Sequence, residues 1–270
     1  WHLGKLFGQR HMTEDQAYVL EELLALCRDV RPDALVIAGD VYDRAIPPPE
    51  AVELFNNILT RLAEQGIKVL FIAGNHDSAV RLHFGAQLLR ASGIYPAGTV
   101  RADEAPVVLS DEFGLVYFSL IPYGDPPHVR AAFSVEEALS FDTALSVQIA
   151  AARAQIPPSA RSVAVAHAFV IGGQVSESEH ALSVGGSDQV SAENFSAYSY
   201  TALGHLHAPQ RAGAENVRYA GSLLKYSFDE ARQKKGVELV ELDAEGMASH
   251  TFYPLTPRHD VRIVRGVMDE

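Results

Sequence analysis

Ala34-Leu35-Val36-Ile37-Ala38-Gly39-Asp40 and Ile67-Lys68-Val69-Leu70-Phe71-Ile72-Ala73-Gly74-Asn75-His76-Asp77 share one design. Each is a short apolar run that stops at a glycine and passes at once to side chains that bind cations. Runs this short and this uniformly apolar predict strands buried on both faces, the habit of sheets covered by helices. Between them, Pro47 to Pro49 opens a helical pattern with Phe55, Ile58, Leu59 and Leu62 on one face, and Gly66 ends it. Strand, helix, strand in this order predicts an α/β fold.

The pattern extends outward in both directions. Thr13 with Gln16 predicts a capping box, followed by Leu20, Leu23, Leu24 and Cys27 at helical spacing. A third helix is predicted from Ser78 to Ser92, stopped by Gly93. Val107 to Leu109 and Leu115 to Leu120 predict a hairpin around Asp111-Glu112-Phe113-Gly114. Ser134 with Glu137 predicts a second capping box and a long helix to about Ala154, closed by Pro157 and Pro158. Further strands are expected at Val163 to Ala166, Tyr200 to Leu203, Val217 to Ala220, Val237 to Leu242 and Ala248 to Tyr253, with a turn at Asp243 to Gly246. The expected architecture is two sheets packed face to face with helices outside.

The 270 residues are 47% hydrophobic, ample for one sizeable core. The net charge of -12 argues against a free-standing, sequence-tolerant DNA binder, which carries a basic surface. It leaves room for an enzyme that grips phosphates through metal ions. Cys27 is the only cysteine, so no intrachain disulfide forms, which fits a reducing cytoplasm. Its place on an apolar helical stripe makes it a small core residue. No apolar run reaches the length of a membrane span, so no membrane role is expected.

Four predicted strands end in metal-ligand residue types: Gly39-Asp40, Gly74-Asn75-His76-Asp77, His167, and Gly204-His205-Leu206-His207. In open α/β sheets, sites form at the carboxyl ends of strands. A lone Gly-Asp is ordinarily a turn and a lone histidine ordinarily a core residue. Four such junctions in one chain are not ordinary. A set of histidine, carboxylate and amide oxygen suits Mn, Fe or Zn rather than Mg or Ca. The glycines are expected to permit sharp turns out of the strands. In extended backbone His205 and His207 would point the same way and serve one metal each of an adjacent pair.

Gly39 to Asp43, Gly74 to Asp77, His167 and Gly204 to His207 resemble the signature set of the calcineurin-like metallophosphoesterases. That family opens with Asp-x-His at the end of its first strand. This chain begins Trp1-His2-Leu3-Gly4, so the resemblance implies an Asp and a strand just upstream of Trp1. Within the family, Trp1 to Lys5, Gly39 to Arg44, Gly74 to Ser78, Ser176 to Glu179, Gly204 to His207 and Gly221 to Phe228 are similar to the SbcD-type exonuclease subunits. The similarity runs to about Arg258.

What the resemblance implies is specific. The fold is a four-layer α/β/β/α sandwich of two mixed sheets flanked by helices. Residues 1–257 form the nuclease domain, and 258–270 begin a linker to a capping region. His2, Asp40 and His207, with the upstream Asp, hold a first metal. Asp40, Asn75, His167 and His205 hold a second, with Asp40 bridging. His76 adjoins a ligand without being one and faces the scissile phosphate, to stabilise its charge or protonate the leaving oxygen. The ions are two divalent metals, Mn2+ by preference. The partners are DNA ends and hairpins and an SbcC-type ATPase subunit, with a homodimer in the full complex.

Asp43 and Arg44 are candidates to orient His76 or touch DNA, although a surface salt bridge accounts for them equally well. Lys5, Arg10 and Arg81 are candidate contacts to the DNA backbone. His11, His83, His128, His180, His250 and His259 lack ligand spacing and are read as surface or core histidines. Trp1 is read as packing beside the site. Two other functions are weighed: a phosphomonoesterase or nucleotide phosphodiesterase on the same metal set, and a non-catalytic platform with an incomplete site. The SbcD-like stretches outside the metal motifs favour the nuclease.

Overall fold

A computed structural model describes residues 1–179, 188–264 and 266. A small hairpin, β1 (Leu6–Phe7) and β2 (Arg10–His11), leads into α1 (Thr13–Val30). Then come β3 (Ala34–Ile37), α2 (Pro49–Glu64), β4 (Lys68–Ile72), the short helices α3 (Ala79–His83) and α4 (Ala86–Arg90), and β5 (Ile94–Ala97). The hairpin of β6 (Val107–Asp111) and β7 (Gly114–Ile121) is followed by α5 (Pro126–Phe133), α6 (Phe141–Arg153) and β8 (Arg161–His167). The last third holds β9 (Phe169–Val170), β10 (Gln189–Val190), β11 (Tyr200–Gly204), β12 (Gln210–Ala212), β13 (Ala214–Tyr219), β14 (Gly236–Leu242) and β15 (Met247–Pro254).

Two sheets dominate. One has the order β3-β4-β5, all parallel. The other has the order β12-β13-β11-β8-β7-β6 and is mixed: its four inner strands are parallel and β12 and β6 run against them. Alternation along the strands sorts side chains between layers. On β4, Val69 and Phe71 face α1 and α2, while Leu70 and Ile72 face the second sheet. On β8, Val163 and Val165 meet them from the opposite side, while Ala164 and Ala166 face α6. The result is helix, sheet, sheet, helix, the sandwich expected from the sequence, except that the smaller sheet is all parallel rather than mixed. The β14-β15 hairpin adds Val240, Leu242 and Met247 to the inter-sheet core.

Three local expectations are corrected. The helix over residues 78–92 is two helices, because Phe84 is extended and Gly85 takes φ +73. Ser134 does not open a helix. It lies in the left-handed region at the end of α5, an unforeseen helix started by Pro126 and Pro127. The capping box belongs to Ser140 and Thr143, whose hydroxyls each accept the other's backbone N–H, at 3.1 and 2.8 Å. Thr13 and Gln16 form no box either. Met12 is the N-cap, and the Gln16 amide is drawn into the core, donating to the His2 carbonyl at 2.7 Å and accepting from Gly4 N at 3.0 Å.

Near the end of the chain, Leu255 is buried, and Arg258 and His259 reach Glu14 and Asp15 of α1 at 3.0 and 2.7 Å. Packing against the first helix therefore runs past residue 257. Among the described residues no helix is long and apolar enough to cross a membrane. Cys27 is buried, and burial pushes its thiol up to about 11.

Candidate metal centre

The parallel register explains why the strand ends converge. β11 pairs with β8 so that Gly204 sits opposite His167. β3 and β4 end side by side in the facing sheet. Residues Trp1 to Leu3 run beside Asp40 to Asp43, with His2 N donating to Asp40 O at 2.8 Å and Leu3 N to Val41 O at 2.9 Å. Asp77 ties two of the loops together. Its carboxylate accepts Gly74 N, Val41 N and Tyr42 N at 2.9 to 3.1 Å. Burial, with Asp40 nearby, raises the Asp77 carboxyl to about 6.

Close approach of neighbouring strand ends, within one sheet at Gly74 and between the two sheets at Gly39 and Gly204, sets the glycines. Gly39 does turn, with φ +91. Gly74 and Gly204 do something else: a Cβ on Gly74 would lie 2.2 Å from Asp40 Oδ1, and one on Gly204 would lie 1.7 Å from Ala38 O. These two are needed for space rather than for the turns expected of them.

Two groups of ligand-type atoms share Asp40: His2, Asp40 and His76, and Asp40, His167 and His205. Asp40 Oδ2 lies 3.3 Å from His167 Nε2 and 3.6 Å from His2 Nε2. Asn75 Oδ1 lies 2.8 Å from His167 Nε2 and 3.3 Å from His205 Nδ1. His207 joins from the other side, with Nε2 3.0 Å from His2 Nε2. The structure thus brings together all six metal-ligand candidates and His76. His2, Asp40 and His205 hold positive φ of 53, 47 and 101°, a conformation costly to non-glycine residues and typical of functional sites. His205 is therefore not in the extended backbone expected, although it and His207 still face different members of the cluster.

The donor set fits divalent ions. Burial lowers His2 and His205 to about 3, so both imidazoles are neutral at neutral pH, the form that can ligate a cation. His167 Nδ1 donates to Ala38 O at 2.8 Å, which turns Nε2 towards Asp40 and Asn75. Against the opposing effect of burial, Asp40 raises the His167 imidazole, so these oxygens favour a positive charge at Nε2. His2 points the same way. Its Nε2 meets another imidazole Nε2, while its buried Nδ1 finds no hydrogen bond, lying 3.5 Å from Asp43 Oδ1. A shared cation would let both Nε2 atoms act as acceptors and free the His2 Nδ1 proton to face Asp43.

The remaining candidates divide. Lys5 is 9% exposed and its ammonium bonds Asp43 Oδ1 at 2.8 Å, so it braces the site and is not placed to grip DNA. Arg10 is paired with Asp15 at 3.4 Å. Arg44 and Arg81 are exposed. Asp43 holds His76, but through its backbone carbonyl, which accepts from His76 Nδ1 at 2.8 Å. Trp1 packs edge-on against Phe55. Of the other histidines, His83, His128, His250 and His259 have partners away from the cluster. His11 is exposed, and His180 lies outside the described residues. Sequence reasoning assigns no role to Ser178, Glu179, Glu230 or Lys235, which surround His207. Only Ser178 and Glu179 fall in a stretch that carries a signal, as similarity without a function attached.

This fold and cluster agree with family comparison. Residues 1–209 match the model of the calcineurin-like phosphoesterases, and the chain belongs to that family of phosphoester hydrolases, which use divalent metals. It is similar to the SbcD component of the nuclease SbcCD of Staphylococcus epidermidis, 30% identical over 267 residues that cover 98% of this chain and 70% of that protein. A crystal structure of TT1561 of Thermus thermophilus aligns at 13% identity and a TM-score of 0.48, covering 88% of this chain and 94% of that one, too remote to bear on function.

Proposed function

We propose that the chain is a two-metal, Mn2+-preferring DNA nuclease of the SbcD type, acting on DNA ends and hairpins with an SbcC-type ATPase in the cytoplasm. The observation that carries the reading is the sharing of Asp40 between two ligand groups, since two cations held close together need a carboxylate between them. Similarity to the SbcD component of an SbcCD nuclease over 98% of the chain supports the choice of substrate.

His2, Asp40 and His207 would hold one ion, and Asp40, Asn75, His167 and His205 the other. Bound there, the ions supply an acidified water as nucleophile and neutralise charge on the phosphate. The chain does the rest. Asp77 and the Ala38 carbonyl hold the loops and the His167 ring in place. The Asp43 carbonyl accepts from His76 Nδ1 and so orients the ring, and contact with a phosphate or a leaving oxygen would be made through Nε2. Arg44 and Arg81 are the exposed cations left to contact the DNA backbone.

The test is hydrolysis by the purified protein of linear duplex and hairpin DNA, beside a phosphomonoester, with Mn2+ and with chelator. Mn2+-dependent cleavage of DNA, abolished by chelator, is expected. Efficient monoester hydrolysis without DNA cleavage would replace the nuclease by a phosphomonoesterase. With a net charge of -12, binding of this chain to duplex DNA is expected to be weak and to fall steeply as salt rises. Tight binding in physiological salt would contradict it.

The homodimer is proposed to use Val80, Phe84 and Leu88, three large apolar side chains that are 73, 86 and 82% exposed. Phe84→Glu should shift the mass in light scattering from dimer to monomer without changing the far-ultraviolet spectrum. A dimer that survives the change would place the interface elsewhere.

A further inference from the structure

Building on the metal-centre reading, we propose that Glu230 and Ser178 are positioning residues that fix the tautomer of His207, leaving its Nε2 bare and aimed at the metal site. Glu230 is fully buried, lies 23 residues beyond His207 in the sequence, and no step of the proposed hydrolysis uses it.

Counting donors decides the tautomer. Ser178 Oγ touches both Glu230 Oε1 and, at 2.7 Å, His207 Nδ1. An ionised carboxylate only accepts, and a hydroxyl has one proton. Glu230 Oε2 faces the Lys235 ammonium at 2.6 Å and accepts from Tyr226 N at 3.3 Å, a buried ion pair in which the carboxylate is the acceptor. The Ser178 proton therefore goes to Glu230. His207 Nδ1 must then carry its own proton and donate it to Ser178 Oγ, with Glu230 Oε1 a second acceptor at 3.3 Å. A neutral ring protonated at Nδ1 has its lone pair on Nε2, the atom that faces His2.

The backbone of His207 is held by the same group of residues. Its N–H donates to Glu179, and its carbonyl accepts from Lys235 Nζ at 2.8 Å and from Ser222 N at 3.1 Å. Lys235 also donates to Ser222 Oγ at 2.9 Å. Every polar atom of His207 except Nε2 is thus tied to one buried cluster. Ligating histidines are ordinarily oriented in this way, through an acceptor on the other ring nitrogen.

Glu230→Gln tests the chain of protons, because it reverses it. Lys235 can only donate, so the amide oxygen must turn to Lys235 and the amide N–H to Ser178. Ser178 would then donate to His207 Nδ1 and push the ring proton to Nε2, where it blocks ligation. The first readout is independent of metal and activity: long-range nitrogen–proton correlation of the metal-free protein, which separates the two tautomers. The wild type and Ser178→Thr, which keeps the hydroxyl, should show His207 protonated at Nδ1. Glu230→Gln should show it at Nε2. The second readout is calorimetric titration with Mn2+, in which Glu230→Gln should weaken one of two sites about 10- to 100-fold and leave the other unchanged.

A wild-type His207 protonated at Nε2 overturns the proposal whether or not the variant folds. A variant that keeps both the Nδ1 tautomer and wild-type Mn2+ affinity overturns the role of Glu230. If the tautomers are as expected but the wild type binds no Mn2+, the metal-centre reading fails and the proton chain stands.

Discussion

Asp40→Asn is expected to remove both metals from the site and to lower phosphodiesterase activity by about 10³-fold or more, equivalent to about 4 kcal/mol of transition-state stabilisation. The substitution is chosen because the fold should accept it. Asparagine tolerates the left-handed conformation that Asp40 adopts at φ +47. Its amide oxygen can still accept the His76 N–H, which Asp40 Oδ1 receives at 3.0 Å. What disappears is the charge shared by His2 at 3.6 Å and His167 at 3.3 Å. Although burial opposes it, His167 holds the Asp40 carboxyl well below its ordinary range, so that charge is present at neutral pH. Metal content of the purified variant should fall for both ions rather than one, with melting of the metal-free protein close to wild type. Loss of a single ion would show that Asp40 belongs to one site only. Full metal and full activity would end the shared-ligand reading.

The parts of the site that can be read from sequence are those that follow a buried strand. An apolar run of fixed face ends where its side chains change type, so Asp40, Asn75, His167, His205 and His207 stand out as abrupt chemical changes after regular structure. Parallel pairing then puts such ends together, as Gly204 beside His167 illustrates. Glu230 and Lys235 stand out in no such way. They sit in and just after a single short 3-10 turn among other charged residues, and only the folded chain buries them against His207. Gln16 misleads for a related reason. Its spacing from Thr13 fits a cap, but the carbonyl of His2 and the N–H of Gly4 lie within its reach and are better served by it. The helix boundaries at Gly85 and Ser140 turn on single residues, where competing cap signals of similar strength lie a few positions apart. Glycines follow the same division. Their presence at strand ends is visible, but at Gly74 and Gly204 the reason is the neighbouring chain segment, which local sequence does not contain.

His76→Ala is expected to lower cleavage about 10²- to 10⁴-fold while both metals and the fold remain. The geometry frames two possibilities for this ring. Its ligand atom falls in one group with His2 and Asp40, which would allow coordination. Its backbone N–H is already committed to Asp40 Oδ1, and its Nδ1 proton to the Asp43 carbonyl at 2.8 Å. That carbonyl orients the ring, which stands edge-on to His2 with centroids 4.7 Å apart. In the proposed assignment the ion beside His2 would have His2, Asp40 and His207, and the other Asp40, Asn75, His167 and His205, both without it. His76 is also less buried than His2, His167 and His205, as befits a group that must meet substrate. A proton on Nε2 can stabilise charge growing on the phosphate or pass to the departing sugar oxygen, a poor leaving group that needs it. The matched control is His205→Ala, which removes a donor lying 3.3 Å from Asn75 Oδ1 and should lose metal together with activity. Measured side by side, metal content should stay near wild type in His76→Ala and drop in His205→Ala. If both variants lose metal alike, His76 is a ligand. If His76→Ala keeps its metals and also cleaves DNA at a substantial rate, the proton comes from elsewhere.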